Sequence, residues 1–130
     1  MGSNRKDRGV EVTDKVFICT RCGDCAPGIE HAKILARQAI ACGLRPVVPH
    51  LLYTQFLDDS QPTERTQGLA SGSDDLRECS QVWLDSSLSI SPGMQGDIML
   101  ALLCDIPIHV FAVIRPGDTP QAITVLSTTE

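Results

Sequence analysis

The sequence predicts an α/β fold: a three-layer sandwich built on a Rossmann-like or flavodoxin-like open sheet of four or five mostly parallel strands, with helices on both faces. Three observations predict it. Short β-branched runs alternate with stretches whose apolar residues recur three and four apart, the pattern of consecutive βαβ units with right-handed crossovers. A chain of 130 residues with 42% hydrophobic composition can bury one real core without disulfides or a metal. The chemically distinctive residues gather in the segments after the first three strands, where open α/β sheets bind ligands at a topological switch point.

Residues 1–14 are polar, mixed in charge and without apolar periodicity, so a flexible tail is expected there and a single domain over 15–127. Lys15 to Thr20 is β-branched and stops at the turn-prone Arg21 to Gly28, as a buried first strand does. From Ile29, the positions Ala32, Leu35, Ala36, Ala39 and Ile40 give the first helix, with Gly43 as its left-handed stop. Pro46 to Pro49 reads as a brief second strand, its prolines confined to strand ends. A long loop then runs from His50 to Gln61. Thr63 to Glu78 forms the second helix, capped by Thr63 and weakened by Gly68 and Gly72, with its register open. Gln81 to Asp85 is the third strand, and Met94, Ile98, Ala101 and Leu102 give helical spacing from Gly93 to Leu103. Ile106 to Ile114 makes a fourth strand and Ile123 to Leu126 a last one, with a frayed end beyond Ser127. No internal repeat is present.

A formal net charge of −5 without any Lys/Arg cluster speaks against long nucleic acids and anionic membranes as partners. No apolar run reaches the roughly 18 residues of a membrane span, and the N-terminus does not resemble a secretory signal, so a cytoplasmic protein is expected. Cys42, Cys79 and Cys104 fall in or beside apolar segments, which favours free thiols. Cys19-x-x-Cys22-x-x-Cys25 has the spacing of a metal or iron–sulfur site but lacks a fourth ligand or a downstream partner pair. A redox role for the loop thiols and plain packing of Cys19 in its strand are the other readings. Neither a metal nor a cofactor is expected.

The segment Ser89-Ile90-Ser91-Pro92-Gly93-Met94-Gln95-Gly96-Asp97 carries the sharpest signal. Pro92 opens a helix, Gly93 lets a ligand approach the backbone, and the free N–H groups with the Ser89 and Ser91 hydroxyls make a seat for an anion. Ordinary capping by Ser91 is the plain alternative. Asp97, about one turn into the helix, reads as a nucleophile or base facing the cleft, or as a favourable first-turn charge.

The step Ser91-x-Gly93-x-x-x-Asp97 resembles the catalytic segment of the nucleoside 2-deoxyribosyltransferase family and its nucleotide N-glycosidase relatives. Those proteins carry Gly-x-x-x-Glu here, and the glutamate attacks the anomeric carbon of a nucleoside. The loop Cys19-Thr20-Arg21-Cys22-Gly23 is similar to their substrate loop, and the βαβ order matches from Lys15 to Phe111. Pro49 to Leu57 also looks like a stretch of small phage and bacterial members.

The resemblance implies that Asp97 is the nucleophile and that Ser91, in the place of an aspartate in transferases, favours a 5′-phosphate. Thr20, Arg21, Gly23, His50, Tyr53, Ser89, Ser91, Gly93 and Met94 become the substrate-binding set. Arg21 is then a bidentate phosphate ligand or a solvent-facing loop charge; His50 and Tyr53 contact base or sugar or are structural. Asp85 is a second acid that orients the attacking water, or a turn residue. Aspartate is one methylene shorter than the family's glutamate, a displacement worth ~100-fold where attack geometry is tight. The expectation is an N-glycosidase or deoxyribosyltransferase-like enzyme acting on a small-molecule (deoxy)nucleoside or its monophosphate; the alternative is a non-catalytic nucleotide-binding or signalling module. Relatives complete their sites with a neighbouring subunit, which implies a homo-oligomer, a dimer or larger.

Overall fold

The computed structural model describes residues 14–21 and 25–128; of the tail expected over 1–14, all but Asp14 lies outside them, as do Cys22 and Gly23. In chain order the elements are β1 (Lys15–Cys19), α1 (Ala26–Ala41), β2 (Arg45–Val47), α2 (Pro49–Leu52), a 3-10 turn (Tyr53–Gln55), α3 (Pro62–Arg77), β3 (Gln81–Asp85), α4 (Pro92–Leu103), β4 (Ile108–Phe111) and β5 (Thr124–Leu126). The strands lie in the order β2-β1-β3-β4-β5. β2, β1, β3 and β4 run parallel, and β5 closes the edge antiparallel to β4. This is the flavodoxin-like order, with its switch point between β1 and β3.

Strand alternation divides the core in two. Val16 and Ile18 of β1 and Trp83 of β3 pack under α1 against Ala32, Leu35 and Ala39. Phe17 and Cys19, Val82 and Leu84, with Ile108 and Val110, face the other way, toward Leu76 of α3 and Met94 and Ala101 of α4. The sheet is therefore a middle layer, as the sequence predicts.

Boundaries shift where proline decides them. α1 opens at Ala26, before the expected Ile29, because Pro27 suits a first helical turn that needs no N–H. β2 stops at Val47, and Pro49 opens α2 where the sequence suggests a strand end. The loop expected from His50 to Gln61 thus holds α2 and the 3-10 turn. α3 opens at Pro62 with Gln61 as N-cap and no side-chain cap, so Thr63 is not the capping residue. β4 is confined to Ile108–Phe111, shorter than the β-branched run around it. Gly43 ends α1 at φ 81°, the predicted left-handed stop.

Candidate functional site

A cleft of about 390 Å³ lies between α3 and α4, with Phe17 of β1 and Pro49, His50 and Tyr53 of the α2 region also on its walls. It falls within the size range of small-molecule sites. From α3 it takes Arg65, Gly68, Leu69, Gly72, Ser73 and Arg77, which recur three and four apart and so form one helix face. A Cβ on Gly68 or Gly72 would stand 3.5 Å from Leu57 and from Pro49, respectively, an ordinary contact distance. On α4 the wall is made by Gly93, Gly96, Asp97 and Leu100. A Cβ added at Gly96 would meet nothing within 4 Å, so the wall beside Asp97 is bare backbone facing open space.

Asp97 stands half-buried on this wall. Burial pushes its carboxyl up to about 6, opposed by a weak hydrogen bond from the Cys19 thiol, 3.9 Å from Oδ2. Near neutrality the group is ionised but poorly solvated, a state suited to attack on an electrophilic carbon or to taking a proton from water. His50 is lowered by burial, with Asp59 raising it and Arg65 lowering it further, so its imidazole is neutral at pH 7. Tyr53 reaches the cleft, but its hydroxyl donates to Asp75 Oδ2 at 2.6 Å, which fastens the 3-10 turn to α3 and raises the phenol pKa.

The other expected ligand residues are arranged differently. Ser91 is the N-cap of α4, its Oγ accepting from Met94 N at 3.2 Å, so the capping reading describes its hydroxyl. Met94 buries its side chain in the core and takes the Ser91 N–H on its sulfur at 3.5 Å; it offers a ligand no side-chain surface. Arg21 donates to Ser89 Oγ at 2.8 Å and thereby ties the loop after β1 to the loop after β3, and neither is among the cleft walls. Thr20 is buried, and Gly23 lies outside the described residues. Asp97, His50, Tyr53 and Gly93 are the expected site residues that share the cleft.

Residues 14–111 match the model of a family described as a domain of unknown function, DUF7768. The chain belongs to this family. A solved structure similar to the DUF7768 domain is a 2-deoxyribosyltransferase of the psychrotolerant bacterium Bacillus psychrosaccharolyticus, described as a biocatalyst for the synthesis of antiviral and antitumoral nucleosides. The likeness has a TM-score of 0.65 at 8% identity and covers 74% of this chain and 70% of that one. It supports a distant relationship of fold. No curated protein matches the chain.

The DUF7768 domain holds Asp85 on the other side of its sheet. Asp85 shares the parity of Trp83 and so faces α1, wholly buried, whereas Cys19 and Asp97 lie on the α4 side. Its Oδ2 accepts from His31 Nδ1 at 2.8 Å, and Oδ1 from Ser87 N at 2.9 Å and Ser87 Oγ at 2.5 Å. A carboxylate so enclosed anchors α1 and the turn after β3, and it has no place beside a water in the α3–α4 cleft. The sequence reading missed His31, and it missed Arg65, Ser73 and Arg77 on the cleft wall. Gly68 and Gly72, four apart and so on one helix face, were the available hint.

Among the described residues, no group of three or more His, Cys, Asp or Glu side chains is arranged to hold a metal ion, and Cys19, Cys25, Cys42, Cys79 and Cys104 are free thiols. Cys22 lies outside them, and with it the centre of the Cys-x-x-Cys-x-x-Cys run. No described helix is long and apolar enough to cross a membrane.

Proposed function

We propose that this domain acts in the cytoplasm on the N-glycosidic bond of a nucleoside or nucleoside monophosphate, as an N-glycosidase or a deoxyribosyltransferase-like enzyme. The observation that carries the reading is Asp97, a half-buried carboxyl raised to about 6 beside a backbone-only wall at Gly96. Its position after Ser91 and Gly93 matches the step of the family it resembles, and the shared fold supports the same reading. Ionised Asp97 attacks the anomeric carbon while the bond from that carbon to the base nitrogen breaks. The base leaves with the bonding electrons and takes a proton from water. A water molecule then attacks the same carbon, gives up a proton, and frees the carboxylate; a second base in place of water gives transfer. The alternative use of the same carboxylate is as general base on water in a single displacement.

Free base released from a panel of deoxynucleosides and their 5′-monophosphates tests the reading. Turnover of at least one member, lowered ~10³-fold or more by Asp97→Asn, is expected for a lost nucleophile or base. Silence across the panel with both wild-type and Asp97→Glu protein removes the enzymatic claim; binding without turnover would then favour a nucleotide-sensing module.

A homo-oligomer is implied by the same resemblance, and Met99 and Leu103, 61% and 75% exposed on α4, are the residues we propose for its interface. Light scattering that finds only monomer at all concentrations would exclude it.

A further inference from the structure

At the start of α4, where an anion seat is foreseen, the protein makes bonds of its own. Arg21 is bonded to Ser89, and the Ser91 hydroxyl caps the helix. Among the described residues, two guanidinium groups line the cleft, both on α3. Arg77 is paired with Asp74 at 2.9 Å. Arg65 makes no side-chain hydrogen bond or ion pair among the described residues; its backbone N–H bonds Gln61 O within the helix start. The two stand twelve positions apart, about 18 Å along the helix, so they serve opposite ends of the groove.

On the same cleft wall, His50 feels both Arg65 and Asp59. His50 brings an N–H without a charge, because burial keeps it neutral. Asp59 is the nearby carboxylate, and no ion pair within 4.0 Å joins it to Arg65. In a chain of net charge −5, an unpaired guanidinium on a cleft wall is a local attraction for an anion. Its planar fork matches two phosphate oxygens at once.

We infer that Arg65 is the phosphate-recognising residue of this cleft, which makes the substrate a nucleoside bearing a phosphomonoester rather than a free nucleoside. The inference rests on the functional reading above and refines it. The phosphate is held at the Arg65 end, and the sugar lies along the bare Gly93 and Gly96 wall beside Asp97.

Calorimetry tests it, using Asp97→Asn protein as the host so that ligand is not consumed, with a deoxynucleoside and its 5′-monophosphate as probes. The monophosphate should bind more tightly. Arg65→Ala should weaken it ~10–100-fold, the worth of charge-assisted hydrogen bonds, and leave the nucleoside within about twofold. Arg65→Lys should fall between, and inorganic phosphate should compete with the monophosphate only when Arg65 is present. Arg65 is exposed, so these variants should keep the parent melting temperature. Equal weakening of both ligands, or a phosphate preference that survives Arg65→Ala and disappears in Arg21→Ala, overturns the assignment while the Asp97 chemistry stands. Failure of every host to bind either ligand overturns both.

Discussion

His31 Nδ1 lies 2.8 Å from Asp85 Oδ2, a contact that spans 54 positions of sequence and fastens α1 to the end of β3 beneath the surface. Asp85 is wholly buried and its second oxygen is held by Ser87. Removing the imidazole takes one hydrogen-bond partner from a buried carboxyl that keeps its two bonds to Ser87. His31→Ala should therefore cost ~1–3 kcal/mol, as removing one partner of a buried hydrogen bond does. Urea unfolding is the measurement. The same substitution should change turnover far less than Asp97→Asn does, because the pair lies across the sheet from the cleft. A His31→Ala protein as stable as the parent would show that the carboxylate does not depend on the pair.

The raised carboxyl of Asp97 predicts opposite pH trends for activity and stability. If the ionised form attacks or takes a proton, kcat/KM should rise with pH through about 6 and then level. For stability, the folded group holds its proton up to about 6, whereas unfolded aspartate releases it near 3.8. The native state thus binds more protons in that window, so stability falls as pH rises through it. The loss is of the order of 1–3 kcal/mol at neutral pH. Asp97→Asn should remove activity and yet be more stable than wild type at pH 7, with the difference vanishing below pH 4. Parallel thermal melts at the two pH values decide it.

The sheet was legible because Val16 to Ile18, Val82 to Leu84 and Ile108 to Phe111 are short apolar runs between turn residues, and buried strands need little more to declare themselves. The start of α4 was legible because a capping serine, a proline and a glycine act within one turn. The face of α3 was not. That helix buries only Gly72 and Leu76, so no apolar stripe fixed its register and nothing marked Arg65 and Arg77. Nor was the partner of Asp85 legible, since local pattern says nothing about a histidine in another helix. Strand parity held part of the answer: a residue in phase with Trp83 must face away from Leu84 and Cys19.

Gly28, in the first turn of α1, makes the tightest approach among the described glycines. A Cβ there would fall 1.7 Å from the Arg21 carbonyl oxygen, a backbone atom that cannot swing aside. Gly28→Ala should push the loop off the helix start and separate Arg21 from Ser89. A destabilisation of about 2 kcal/mol or more is expected in denaturant titrations, in the range of enforced backbone shifts. An unchanged midpoint would mean that the loop repositions freely, and the bond from Arg21 to Ser89 would then have no structural weight.

Gly96 provides the sharpest separation of cleft from fold. It sits inside α4, where glycine costs up to ~1 kcal/mol relative to alanine, and its Cβ direction is empty for 4 Å. Gly96→Ala should accordingly raise Tm by a few degrees, since 1 kcal/mol corresponds to roughly 3–6 °C at this chain length. Gly96→Leu should keep the fold equally well, because the added side chain enters the open cleft instead of the core. It should nevertheless abolish ligand binding by occupying the wall beside Asp97. A Gly96→Leu protein that folds normally and still binds nucleotides with parental affinity would move the binding site away from the α3–α4 groove altogether.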